Sequence, residues 1–217
     1  MHHQPPKLRA MLEGLIALPT VSSVKPELNM GNRHLIDRLA EWLWDAGYRV
    51  EILELPDQPD KANLIATLGA GPGGLVLSGH TDTVPYDAGR WTRDPFAITE
   101  EGDKLYGLGT SDMKSFLALA LEAARGLKAQ ELKQPLTILA TADEESSMSG
   151  ARALVQAGRP LGRYAVIGEP TSLRPVRLHK GVMNEAVRLV GQPGHASDPA
   201  LGNSALEGMQ EVMGEIL

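Results

Sequence analysis

Residues 135–141 form a near-continuous apolar run in which Leu136, Ile138, Leu139 and Ala140 leave no polar face. A strand of that kind must be covered on both sides, as strands are inside an α/β sheet. Shorter runs at residues 63–68, 75–78 and 164–167 read as companion strands, with another near 48–53, and the Gly-rich stretch 69–74 turns the chain between two of them. Helical patterns alternate with these strands. Leu8, Met11, Leu12, Leu15, Ile16 and Leu18 recur at spacings of three and four over residues 7–18, ahead of Pro19. Leu35, Ile36, Leu39, Trp42 and Leu43 do the same over residues 32–46, with Gly47 suited to the C′ position. Residues 115–127 and 149–157 read as two more helices. Strands alternating with helices imply an α/β domain with a largely parallel sheet, whose ligands gather at the carboxyl ends of its strands.

The character changes after Pro170. Residues 176–178 and 182–190 read as strands, the second alternating around Asn184, Glu185 and Arg188; Gly191-Gln192-Pro193-Gly194 then turns the chain toward a helix over 204–217. The expected organisation is one domain over residues 1–173 and the start of another over 174–217.

Composition narrows the chemistry. A formal net charge of −6 disfavours nucleic-acid binding, because a phosphate backbone selects basic surfaces. No apolar run approaches the roughly 20 residues that span a bilayer, and the N-terminus lacks the apolar centre of a secretion signal, so no membrane association is expected and the cytoplasm is the expected compartment. The chain has no Cys, which excludes disulfides, thiolate catalysis and thiolate-bound zinc. Any metal must be held by imidazoles and carboxylates.

Candidates for that task stand at the ends of the predicted strands. His80 and Asp82 follow the run at 75–78, Glu144 and Glu145 follow 135–141, Glu169 follows 164–167, and Asp112 opens the helix at 115–127. Each has a plain structural alternative: a hydrogen-bonded loop histidine, an N-cap aspartate, a solvated acidic turn, an ordinary loop acid. Four separate elements that each deliver an acid or a histidine to one sheet edge form a stronger pattern than any one of them. Asp82 is spaced to accept the second N–H of a ligating His80. Of two adjacent acids, one can bind metal while the other stays free for proton transfer. Oxygen-rich ligation with few imidazoles suits zinc, cobalt or manganese in a carboxylate-bridged pair.

Several stretches together resemble the M20 metallopeptidase family of dinuclear-metal amidohydrolases: Ser78-Gly79-His80-Thr81-Asp82-Thr83-Val84-Pro85, Arg90-Trp91-Thr92-Arg93-Asp94-Pro95-Phe96, Leu105-Tyr106-Gly107-Leu108-Gly109-Thr110-Ser111-Asp112-Met113-Lys114, Ala140-Thr141-Ala142-Asp143-Glu144-Glu145 and Ile167-Gly168-Glu169-Pro170. His179-Lys180-Gly181 and Pro193-Gly194-His195-Ala196-Ser197-Asp198 extend the likeness over nearly the whole chain. The resemblance implies a mainly parallel-sheet, zinc-peptidase-like catalytic domain with helices on both faces, and the start of an α+β lid or dimerisation domain. It implies two divalent ions, Zn2+ or Co2+, with His80 and Glu169 on one, Glu145 on the other and Asp112 between them. Asp82 would orient His80, Glu144 would be the general base, and His195 would hold the substrate or its oxyanion. A cis peptide at Asp112-Met113 and a homodimer are also implied. Arg177, His179 and Lys180 are candidates for substrate contacts, with solvated surface charges as the plain alternative.

The implied reaction is removal of acetate from N2-acetyl-L-ornithine in arginine biosynthesis. Succinyl-diaminopimelate desuccinylation, aminoacylase or dipeptidase activity, and a non-catalytic truncated product remain alternatives. Two departures from the family pattern stand out: Ser115 occupies a position commonly Gly, and the second metal-binding histidine has no candidate in the chain. The sequence is therefore expected to be an N-terminal portion ending inside the lid at Leu217, inactive and poorly soluble by itself.

Overall fold

The computed structural model describes residues 4–181 and 185–217. They fall into two compact units, one ending at Arg174 and the other beginning at Pro175. The first unit is built on a five-stranded sheet of β1 (Arg49–Leu55), β2 (Gln58–Leu68), β3 (Leu75–His80), β6 (Leu136–Thr141) and β7 (Tyr164–Ile167), in the order β1-β2-β6-β3-β7. Its helices are α1 (Leu8–Ile16), α2 (Arg33–Asp45), α3 (Lys114–Ala123) and α4 (Ser149–Gln156). A separate hairpin joins β4 (Thr99–Glu101) to β5 (Lys104–Tyr106).

The sheet is mixed. β3 runs parallel to both β6 and β7, forming the parallel core, whereas β1 and β2 pair antiparallel with each other and β2 pairs antiparallel with β6. Side-chain alternation divides its two faces. Ala62, Leu64, Ala66 and Leu68 of β2, with Leu136, Ile138 and Ala140 of β6, face the core filled by α1, α2 and α3. Ile65, Val76 and Leu139 turn to the other face, where Leu154 of α4 covers them. Helices therefore lie on both faces, and β6 is buried from Leu136 to Ala140 because both layers press on it.

Local chemistry sets the helix ends. Gly47 follows α2 at φ +87°, a conformation that other residues resist; Tyr48 N–H donates to Leu43 O at 3.0 Å and Gly47 N–H to Trp44 O at 2.9 Å, a Schellman closure. After α1, the segment around Val21 lies alongside Thr83. Ser22 N–H donates to Thr83 O at 2.9 Å, and Thr83 N–H donates to Thr20 O at 3.1 Å. The chain leaving β3 is thereby braced before it enters the site.

The second unit contains α5 (Ala205–Ile216), whose start is capped by Ser204 accepting Glu207 N–H at 3.3 Å. A short 3-10 turn (Pro199–Leu201) and a bridge between Gln192 and Asn203 precede it. The strands expected at 176–178 and 182–190 are not formed by the described residues 176–178 and 185–190, and residues 182–184 of the second span lie outside the described set. Alternation alone does not make a strand without a neighbouring edge to bond. The helix expected over 115–127 ends at Ala123, where Ala124 caps it and Gly126 adopts φ +86°. Among the described residues, no helix is long and apolar enough to cross a membrane.

Leu39 on α2 is fully buried between the helical layer and the sheet. Leu39→Ala should destabilise the fold by about 2–5 kcal/mol in urea unfolding, the usual cost of a buried leucine cavity.

Candidate metal centre

Register brings the candidate residues together. In the parallel pairing, His80 at the end of β3 sits level with Thr141 at the end of β6, and Ser78 sits level with Ile167 at the end of β7. The three strands exit side by side, at neighbouring spacings of roughly 4.8 Å. The loop after β3 carries Asp82, the loop after β6 carries Glu144 and Glu145, and the turn after β7 carries Glu169. Gly168 permits this last turn: a Cβ there would lie 2.0 Å from the ring of Phe116, while its N–H bonds to Ser78 O at 3.1 Å.

His80 is buried at the centre. Its Nε2 lies 3.1 Å from Asp112 Oδ1 and 3.9 Å from both Glu144 Oε2 and Glu169 Oε1. Ligand atoms of His80, Asp112 and Glu169 all fall within 4.8 Å of one another, and so do those of His80, Glu144 and Glu145. On the opposite ring edge, Nδ1 meets the Asp82 backbone carbonyl at 3.0 Å and the Asp82 carboxylate at 3.6 Å. The carbonyl is the closer acceptor, so a neutral His80 carries its proton on Nδ1 and turns the Nε2 lone pair toward the acids.

The Asp82 carboxylate has a further task. Glu144 N–H donates to its Oδ1 at 3.2 Å and Glu145 N–H to its Oδ2 at 3.0 Å. One aspartate thus fixes the imidazole through its backbone and the acid pair through its side chain. Asp112 is delivered by the loop before α3; the helix N-cap is Met113, without a side-chain capping bond, so Asp112 is free of capping duty and faces His80 instead. The Asp112-Met113 peptide is cis.

The electrostatics follow from burial and from crowding. Burial pushes the Glu145 carboxyl up to about 7, with Asp112 and Glu144 adding repulsion against the opposing pull of His80. Burial likewise raises Glu169, aided by Asp112 and Glu144. Burial works against a charged His80, but Asp82, Glu144 and Glu169 together outweigh it and raise the imidazole to about 9. Asp82 is lowered: its burial is overcome by the attraction of the nearby His80 ring and by its bonds to the two backbone N–H groups. One imidazole and four carboxylates gathered within ligand reach suit divalent cations.

His195 belongs to the second unit, is exposed, and lies 2.7 Å from Ser197 Oγ through Nδ1. Arg177, His179 and Lys180 are exposed there as well. Two buried lysines escaped the sequence reading. Lys114 is fully buried, donates to Leu18 O at 2.7 Å, and is pushed down to about 7 by burial against the pull of Asp82. Lys61 pairs with Asp143 beneath the acid pair. The available signal for Lys61 was a lone cation interrupting a strand-like run, and for Asp143 a third acid adjoining the pair.

A mixed sheet whose parallel strand ends gather a histidine and several acids defines the class as α/β proteins with a candidate metal site at the strand ends. Residues 76–216 match the family described as Peptidase family M20/M25/M40, and the chain belongs to that family. It is 51% identical over all 217 residues to an acetylornithine deacetylase of Klebsiella pneumoniae (strain 342), spanning 57% of that protein's length. Among solved structures, human carnosine dipeptidase 1 matches with TM-score 0.60 and 26% identity, over 74% of this chain and 38% of that one. A tripeptidase of Staphylococcus aureus shares the fold at TM-score 0.63 and 18% identity, over 96% of this chain and 55% of that one.

Cation binding must displace protons from Glu145 and His80, so the apparent Co2+ affinity should rise as pH increases from about 6 to 8, with net proton release. Calorimetric titration in two buffers of different ionisation enthalpy measures both quantities. An affinity flat across that range would count against these groups as ligands.

Proposed function

We propose that the complete gene product hydrolyses the amide of N2-acetyl-L-ornithine to L-ornithine and acetate, a step of arginine biosynthesis, with two divalent ions at the strand ends. The observation that carries this reading is the convergence of Asp112, Glu144, Glu145 and Glu169 on one buried, oriented imidazole. The 51% identity to the Klebsiella deacetylase supports the particular substrate. Residues 1–173 form the catalytic domain in this reading, and 174–217 begin a lid through which the enzyme forms a homodimer. The cytoplasm is its compartment.

Each side chain has a role. His80 and Glu169 would hold one ion and Glu145 the other, with Asp112 available to both. When bound, the ions supply positive charge that makes water a better nucleophile and polarises the amide carbonyl. Glu144, half exposed beside His80, is placed to take a proton from the attacking water and return it to the leaving amine. Asp82 accepts the Glu144 backbone N–H, which holds the loop while the carboxylate stays available for proton transfer. His195 steadies the substrate or the developing oxyanion.

Glu144→Gln should lower kcat roughly 100- to 10,000-fold while leaving two ions bound, since it removes proton transfer without removing a ligand. Full activity in that variant would remove Glu144 from the mechanism. Chelation should abolish turnover, with Zn2+ or Co2+ restoring it. Initial rates on acetylornithine, succinyl-diaminopimelate and a dipeptide discriminate the substrate: acetylornithine should lead, and a faster dipeptide would place the enzyme with the family's peptidases.

A further inference from the structure

Beneath the acid pair lies a second charged cluster, closed off from solvent. The Lys61 and Asp143 side chains are 3% and 4% exposed, with Lys61 Nζ 2.5 Å from Asp143 Oδ1. Ser22 Oγ donates to the same oxygen at 2.9 Å, and Ser149 Oγ donates to Asp143 Oδ2 at 2.7 Å. Lys61 Nζ also donates to Asn29 Oδ1 at 2.8 Å. Every carboxylate oxygen of Asp143 thus has a partner, drawn from β2, the start of α4 and the segment after α1.

Asp143 immediately precedes Glu144 and sits at φ +58°, the left-handed region that aspartate tolerates better than most residues. Its carbonyl accepts Met148 N–H at 2.6 Å, closing the loop that carries both glutamates. Asn63, two residues from Lys61 on the same face of β2, holds the flanks: its Oδ1 accepts Ala142 N–H at 3.1 Å and its Nδ2 donates to Gly150 O at 2.9 Å. The loop is therefore gripped from below by β2 and from the site side by Asp82.

From this geometry we infer that the buried Lys61–Asp143 ion pair is a positioning device that sets the aim of Glu144 and Glu145. This rests on the roles proposed above for those two residues. An apolar or neutral pair of similar volume commonly supports a fold as well as a buried ion pair does. What the charged pair adds is direction: a short, charge-assisted bond fixes the carboxylate, and through it the backbone angle at which the next two residues leave. The loop needs such a hold because the acids it presents repel Asp112 and each other.

The test is the neutral double variant Lys61→Met/Asp143→Asn in the complete gene product, with Asn chosen because it also tolerates φ near +58°. Thermal unfolding, kcat and KM, and the visible absorption of the Co2+-loaded protein are measured together. The positioning role predicts unfolding close to the parent, kcat reduced at least about 10-fold with KM changed less than about 2-fold, and an altered Co2+ spectrum. Parental kcat and spectrum in the folded variant would overturn it. Should the double variant fail to fold, Ser149→Ala, which removes one bond to Asp143, should lower kcat about 2- to 5-fold and shift the spectrum; no change in either would overturn the proposal equally. The Co2+ spectrum separates this inference from the catalytic reading: undiminished turnover in Glu144→Gln sinks the latter and leaves the spectrum to judge the former.

Discussion

Four carboxylates crowd one buried imidazole, and opposing their mutual repulsion is the task that the surrounding structure performs. The sheet does it by register. Because β3, β6 and β7 run parallel, their ends lie level and deliver His80, the acid pair and Glu169 from separate backbones, so no single loop has to bend all four acids inward. Asp82 then ties two of those exits together through bonds to His80, Glu144 and Glu145. Burial, with repulsion from Asp112 and Glu144 added, raises the Glu145 and Glu169 carboxyls, a latent demand for positive charge.

The parallel core was legible from apolar runs because strands buried on two faces leave an unmistakable hydrophobic signature. So were His80, Asp112, Glu144, Glu145 and Glu169 as a set, since each follows or opens a predicted element. The antiparallel placement of β1 and β2 was not, because strand direction depends on pairing rather than on side-chain pattern. The β4–β5 hairpin is short and polar, giving periodicity little to register. The reading at 176–178 and 182–190 shows the converse error, where alternation was present without pairing among the described residues.

Second-layer contacts were the least legible part of the site. The spacing of His80 and Asp82 suggested a carboxylate-to-imidazole bond, yet the nearer acceptor is the Asp82 carbonyl, and the carboxylate is taken up by two backbone amides 62 and 63 positions away in sequence. Lys61 and Asp143 likewise meet only because β2 passes under the loop after β6. No local pattern carries such information.

The central claim is that these strand ends hold two cations. An anomalous-difference map of the zinc-loaded complete gene product, collected at the zinc edge, tests it most directly. The account predicts two peaks roughly 3.5–4 Å apart, with Asp112 in contact with both, His80 and Glu169 on one and Glu145 on the other. A map with no peak beside His80, or with ions bound elsewhere, would contradict it.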